Sequence, residues 1–321
     1  MMTPNRSRSI ALVIFIAWVL LVAVGCAAIA RAGHFDGTGL RYFVRQLVWI
    51  AISLVAIIAA VRFDYDFWRR NAYLLYALAI LLLIVVFVFP AINGARRWIR
   101  LGVISLQPSE LAKLAVVLTL ARYMMYRENY RRLLGLAVPI LLTFLPMLLI
   151  LREPDLGTAL VFLPVLFIML LVGGANFRDL VRLVFVACLL TPILWANMNA
   201  EQRSRVTSLF YQSAPGEAVH DDAYHLHQAK RMIALGNRWG SLAAGSYSDD
   251  PGAYRLPEAR SDFVFCIVAE RLGVPGILMI LALYGILVTA AMKVATRTAE
   301  PFGRLSAAGI GAMFAVQMLI N

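Results

Sequence analysis

Apolar residues run along this chain in blocks of up to about twenty, broken by short polar segments, from Ile10 to the last residues. A helix needs about 20 apolar residues to cross about 30 Å of hydrocarbon. The blocks predict spans near 10–30, 47–61, 72–91, 110–126, 133–151, 156–174, 180–197, 262–292 and 305–321. An open chain satisfies its backbone groups in lipid only as helices. The expected fold is therefore all-α, a polytopic transmembrane helical bundle of about nine spans. Pro139, Pro146, Pro164 and Pro275 fall inside spans and predict bends. One polar break is far longer than the rest. It divides the chain into helices 1–7 over residues 1–197, a large extracytoplasmic loop over 198–261, and helix 8 with a truncated helix 9 over 262–321.

Composition removes the alternatives. Of 321 residues, 61% are hydrophobic and only 15% charged, where soluble domains carry roughly 25% charged residues to wet their surface. Two soluble domains, a disordered chain and a secreted disulfide scaffold are all excluded. Cys26, Cys188 and Cys266 lie in apolar stretches without metal-like spacing and read as small core hydrophobes. The N-terminus leads from Arg6 and Arg8 into an apolar run with no clear cleavage site, which predicts a retained first span.

The net charge of +12 comes from 30 basic and 18 acidic residues, and its placement sets the orientation. With the N-terminus in the cytosol, the cytosolic segments hold Arg6 and Arg8, Arg62, Arg69 and Arg70, Arg122, Arg127, Arg131 and Arg132, Arg178 and Arg182, and Lys293, Arg297 and Arg304. The short external segments hold half as many, and the long 198–261 segment falls outside. The expected topology is multi-pass with the N-terminus in the cytosol, and no nucleic-acid partner is expected.

Two external regions stand out. Residues 94–109 are short yet carry three arginines on the side that should avoid them, and 198–261 is too long for a plain connection. Pro108 and Ser109 suit a helix start, with Ser109 as the expected N-cap. Glu110 and Lys113 follow three residues apart, on one helix face where they can pair. Ionisable residues near the bilayer are costly enough to mark function or a structural ion pair. Arg152, Glu153 and Asp155 crowd a turn with almost no loop, as a polar cluster or as a solvated turn in which Asp155 caps the next helix. Glu258 and Asp262 end the long loop, and Asp262 meets the membrane edge beside Phe263 and Phe265, a setting that suits a general base or an N-cap. Asp64 and Asp66 match an Asp-x-Asp pattern among arginines, where acid–base pairing suffices. His220, His225 and His227 with Asp221 and Asp222 cluster in a hydrophilic loop that needs no metal.

Four stretches, Gly94–Ile99, Gln107–Lys113, Glu153–Ala159 and Leu256–Phe263, the last continuing to Ala269–Gly273, resemble in order and spacing the motifs of the SEDS family (shape, elongation, division and sporulation), the RodA/FtsW-like proteins. The resemblance implies a ten-helix peptidoglycan glycosyltransferase that uses lipid II and releases undecaprenyl pyrophosphate. It implies a class B penicillin-binding protein transpeptidase as partner. The family's essential aspartate maps onto Asp262, its arginine before tryptophan onto Arg97, and its buried Glu and Lys onto Glu110 and Lys113. Beside it, chemistry suggests Asp262 as general base, Arg97 and Lys113 around the pyrophosphate, and Glu110 and Asp155 organising the cavity or holding a divalent cation (Mg or Mn), with Glu258 as a further substrate-binding candidate. Arg260-Ser261 replaces the family's usual His-Thr, and the glycines before it thin to Gly236, Gly240 and Gly245. The chain is expected to be a fragment lacking the tenth helix. A lipid II flippase or a scaffold of the cell-wall synthesis complex are the competing functions.

Overall fold

The computed structural model describes residues 4–34, 39–91, 95–101, 104–127, 130, 133–197, 203, 207, 221–244 and 263–320. Helices dominate: α1 (Pro4–His34), α2 (Gly39–Arg62), α3 (Tyr65–Val85), α4 (Pro108–Tyr126), α5 (Ala137–Arg152), α6 (Leu156–Gly173), α7 (Phe177–Asn197), α8 (Asp221–Leu235), α9 (Ser241–Ala244), α10 (Val264–Arg297) and α11 (Pro301–Ile320). Among the described residues, seven of them, α1, α2, α3, α5, α6, α10 and α11, are long and apolar enough to cross a membrane. The fourth and seventh expected spans are present as helices but fall outside that set. For α4 the reason is plain: Glu110, Lys113 and Arg122 give it three charged residues in 19.

The chain forms two compact units. One gathers residues 1–10, 63–197 and 287–321. Its core is built around α4, α6 and α11, where Val117, Leu120, Ala121, Met169, Leu170 and Leu305 are buried. Without water between them, membrane helices are held by close van der Waals fit, and small residues permit it. A Cβ on Gly309 of α11 would lie 2.6 Å from Val117 Cγ1 and 2.8 Å from Met169 Sδ, so glycine lets α11 settle between α4 and α6. Polar side chains tie neighbouring helices: Thr119 Oγ1 donates to the Ala72 carbonyl at 3.0 Å, and the Tyr76 hydroxyl donates to the Leu142 carbonyl at 2.9 Å. At the start of α11, Glu300 accepts from Gly303 N at 2.7 Å and from the Tyr65 hydroxyl. Asp66 pairs with Arg69 at 2.7 Å, so ion pairing accounts for this member of the Asp-x-Asp pattern.

The other unit gathers residues 11–62 and 198–286. Its buried centre joins Ala28 of α1 and Ala229 and Met232 of α8 with Cys266, Ile267 and Val268 of α10. The faces of α1 and α2 expose Leu12, Phe15, Val55 and Val61, a distribution that suits lipid rather than water.

Several expectations change. Residues 94–109 hold a small antiparallel hairpin, β1 (Ile99–Leu101) against β2 (Ile104–Leu106), inside an otherwise helical protein. The 198–261 segment carries helices of its own, α8 and α9. Gln107, not Ser109, is the N-cap of α4. Pro108 takes the first helical position, where its missing N–H costs nothing, and the cap falls on Gln107, two residues before the expected one. The eighth span breaks at Gly273 (φ 60°, ψ −148°), two residues before the proline expected to bend it.

Candidate active site

The hairpin, the first turns of α4 and the α5–α6 turn supply the described candidates. Arg97 precedes β1 and reaches the end of α5. Its Nε donates to the Glu153 carbonyl at 3.0 Å, and its Nη2 donates to the Pro154 carbonyl. Glu153 caps the C-terminus of α5 and Pro154 follows it, so the guanidinium sits just past the negative end of the helix dipole, where a cation is favoured. Gln107, at the exit of the hairpin, donates from Nε2 to Asp155 Oδ2 at 3.3 Å. Asp155 Oδ1 accepts from Thr158 N at 3.2 Å, so Asp155 caps α6 as its position in sequence suggests. One carboxylate thus fastens α6 to the residue that opens α4.

Glu153 lies in the short turn between α5 and α6, beside Asp155 and with Arg97 bonded to its carbonyl. It is fully buried, and neither carboxyl oxygen has a hydrogen-bond partner. Burial, then the neighbouring Asp155 charge, push its pKa up to about 8, against the opposing pull of Arg97. At neutral pH the group is largely a neutral acid, which removes most of the cost of an unpaired buried carboxylate.

On α4, Lys113 Nζ donates to Glu110 Oε1 at 2.9 Å, as the three-residue spacing predicts. The pair is asymmetric: the Lys113 side chain is 4% exposed and that of Glu110 53%. The ammonium is held inside the unit, and the carboxylate opens outward. Gln107, Glu110 and Lys113 therefore mount successive polar groups on one short stretch, beginning where Gln107 meets Asp155.

The structure brings Arg97, Gln107, Glu153 and Asp155 together, and α4 carries Glu110 and Lys113 from the same starting point. Asp262, Glu258 and the histidine cluster's His220 lie outside the described residues. The sequence places Glu153 in the polar cluster of this turn but assigns it no role, and its full burial is what the structure adds. Sequence reasoning undervalued Gly236, Gly240 and Gly273. A Cβ on Gly240 (φ +81°) would fall 2.1 Å from the Arg271 carbonyl oxygen, and one on Gly273 (φ +60°) 2.5 Å from Gly240 N. Two backbone strands cross there with no room for a side chain. The glycines that look sparse in sequence are the ones this junction needs.

The match to known proteins decides the family. Residues 7–321 fit the FtsW/RodA/SpoVE group, described as cell cycle proteins. The chain belongs to this family. Peptidoglycan glycosyltransferase MrdB of Escherichia coli (strain K12) is 35% identical over 289 residues, covering 89% of this chain and 76% of the relative. A probable peptidoglycan glycosyltransferase FtsW of Nitrosomonas europaea is 32% identical over 311 residues, covering 94% and 78%. Among solved structures, a peptidoglycan synthase complex described as coordinating polymerization and crosslinking matches with TM-score 0.75 at 28% identity, over 95% of this chain and 82% of that one. The rod shape determining protein RodA of Thermus thermophilus matches with TM-score 0.64 at 27% identity, over 94% and 81%. A FtsW/RodA/SpoVE member with this many apolar helices is a multi-pass membrane protein.

Proposed function

We propose that the protein is a peptidoglycan glycosyltransferase that extends glycan strands from lipid II at the outer face of the bacterial cytoplasmic membrane, with its N-terminus in the cytosol. The observation that carries this reading is a set of charged groups at the helix ends of a lipid-facing bundle, Glu153, Asp155 and Lys113 buried with Arg97 and Glu110 beside them, in a family whose curated relatives bear that activity in their names.

In this reaction a sugar hydroxyl oxygen forms the new bond to the anomeric carbon of a second lipid-linked sugar. The bond from that carbon to the pyrophosphate oxygen breaks, and undecaprenyl pyrophosphate leaves with the electron pair. Asp262 takes the hydroxyl proton as general base. Arg97 and Lys113 supply positive charge for the departing pyrophosphate. Glu110 holds Lys113 in place, Asp155 fixes the turn that Arg97 clamps, and Glu258 contributes to substrate binding from the loop that carries the base. A divalent cation is assigned no step. Glu110, whose carboxylate is 53% exposed, and Asp155 are the described carboxylates that would hold an Mg or Mn ion, which would supply positive charge beside the pyrophosphate. The partner is a class B penicillin-binding protein that crosslinks the product.

Reconstituting the purified protein with that partner and lipid II, then separating products by size on a gel, tests the reading. Glycan strands that lengthen with time are expected. Lipid II that crosses vesicle membranes with no strand formed would replace the glycosyltransferase by a flippase.

A further inference from the structure

Beside the Gly240–Gly273 crossing lies a groove of about 400 Å³, lined by Trp239, Leu242, Ala243, Leu272, Pro275 and Met279, with Arg271 at its edge. We propose that this groove holds the tail of a phosphate-headed polyprenyl lipid, with Arg238 and Arg271 beside the phosphate. The inference rests on the glycosyltransferase reading for the identity of the lipid, and on the following features for its place.

The lining is apolar and the walls are fixed. Gly240 N donates to the Gly236 carbonyl at 2.7 Å, and Val274 N donates to the Arg238 carbonyl at 3.2 Å. These bonds, and glycines that admit no Cβ, lock the 236–240 turn onto the break in α10. A groove that exists before its ligand arrives loses little ordering entropy on binding.

Its rim is cationic. The Arg238 guanidinium lies 5.5 Å from the centroid of the Trp239 ring. Arg271, at the groove edge, donates from Nη1 to Ser241 Oγ at 3.3 Å, and its Nε lies 3.7 Å from Oε2 of the buried Glu270, so it stands there as the outer half of an ion pair. Residues 227–244 contain no acid, and the acid on the facing helix, Glu270, is buried behind Arg271 with its charge paired to it. A tail alone would need none of these charges. A tail with an anionic head uses both halves of the site.

Position fits the same occupant. Trp239 and Leu242 are 64% and 69% exposed, a pairing of aromatic and aliphatic surface that suits the membrane interface. Pro275 and Met279 belong to α10, which begins two residues after Asp262. One helix thus lines the groove for the tail and follows directly from the residue assigned as base.

The test uses the full chain in nanodiscs of phosphatidylcholine, titrated with undecaprenyl phosphate and followed by native mass spectrometry. Phosphatidylglycerol and the uncharged polyprenol serve as comparators. Ala243→Trp fills the groove from an exposed position, and Arg238→Ala removes one rim charge from an exposed side chain. The wild type is expected to favour undecaprenyl phosphate over both comparators by about tenfold, and Ala243→Trp to weaken it by about tenfold. Arg238→Ala is expected to narrow the preference over polyprenol, and it stands as the test should Ala243→Trp fail to fold. Unchanged affinity in the correctly folded variants, or equal binding of phosphatidylglycerol, overturns the assignment. No turnover is read, so the glycosyltransferase reading stands or falls separately. Polymer lost in Asp262→Ala with tail affinity intact in Ala243→Trp would reject the groove alone.

Discussion

Replacing Glu153 by glutamine should stabilise the protein, increasingly so as pH rises. The carboxyl is fully buried and neither oxygen is hydrogen-bonded. Its ordinary pKa of 4.5 is pushed up to about 8, first by burial and then by Asp155. Between those values the native state keeps a proton that the unfolded chain has released, so stability falls as pH rises. The contribution is fully present below about pH 4.5 and is lost as pH passes through about 8. At 1.36 kcal/mol per pH unit the whole gap is worth at most about 5 kcal/mol. Glutamine keeps the shape and cannot ionise. Melting temperatures of wild type and Glu153→Gln, measured in detergent from pH 5 to 9 at constant ionic strength, should nearly coincide at pH 5. They should separate by several degrees in favour of glutamine by pH 9. A difference that stays flat, or that turns against glutamine as pH rises, would mean an ionised carboxylate held by Arg97 or another cation. It would refute the neutral acid.

Arg97→Ala removes two charge-assisted bonds to the Glu153 and Pro154 carbonyls, and should cost about 2–4 kcal/mol in thermal unfolding. Arg97→Lys should recover less than half of it, because one ammonium does not reproduce a planar fork across two carbonyls. Gly240→Ala places an L-residue at φ +81°, which costs about 1–2 kcal/mol before any clash. The overlap with the Arg271 carbonyl must then move backbone. Limited proteolysis should cut the variant faster between residues 236 and 274 than the wild type.

The helices were legible because lipid leaves the chain one way to satisfy its backbone, and apolar block length then reports helix length directly. The spans near 10–30 and 156–174 needed little correction. The Glu110–Lys113 pair was legible for a similar reason: its geometry is set by one helix and by nothing distant. Arg97 was identified as a charge for the substrate, while its bonds to the α5 carbonyls depend on a hairpin that the sequence did not announce. Three-residue strands are too short to show a period of two. The break in α10 was placed at Pro275 because proline is the usual breaker. The cause lies at Gly273, where a second backbone segment, far away in sequence, passes too close for any side chain. Contacts of that kind leave only scattered glycines in the sequence.

Asp262→Ala tests the central claim most directly. Measured as lipid II polymerisation with the partner transpeptidase, beside a wild type of matched melting temperature and matched partner binding, the variant should form no glycan strands. Strands formed at the wild-type rate would contradict the assignment of Asp262 as the base, and with it the mechanism built on it.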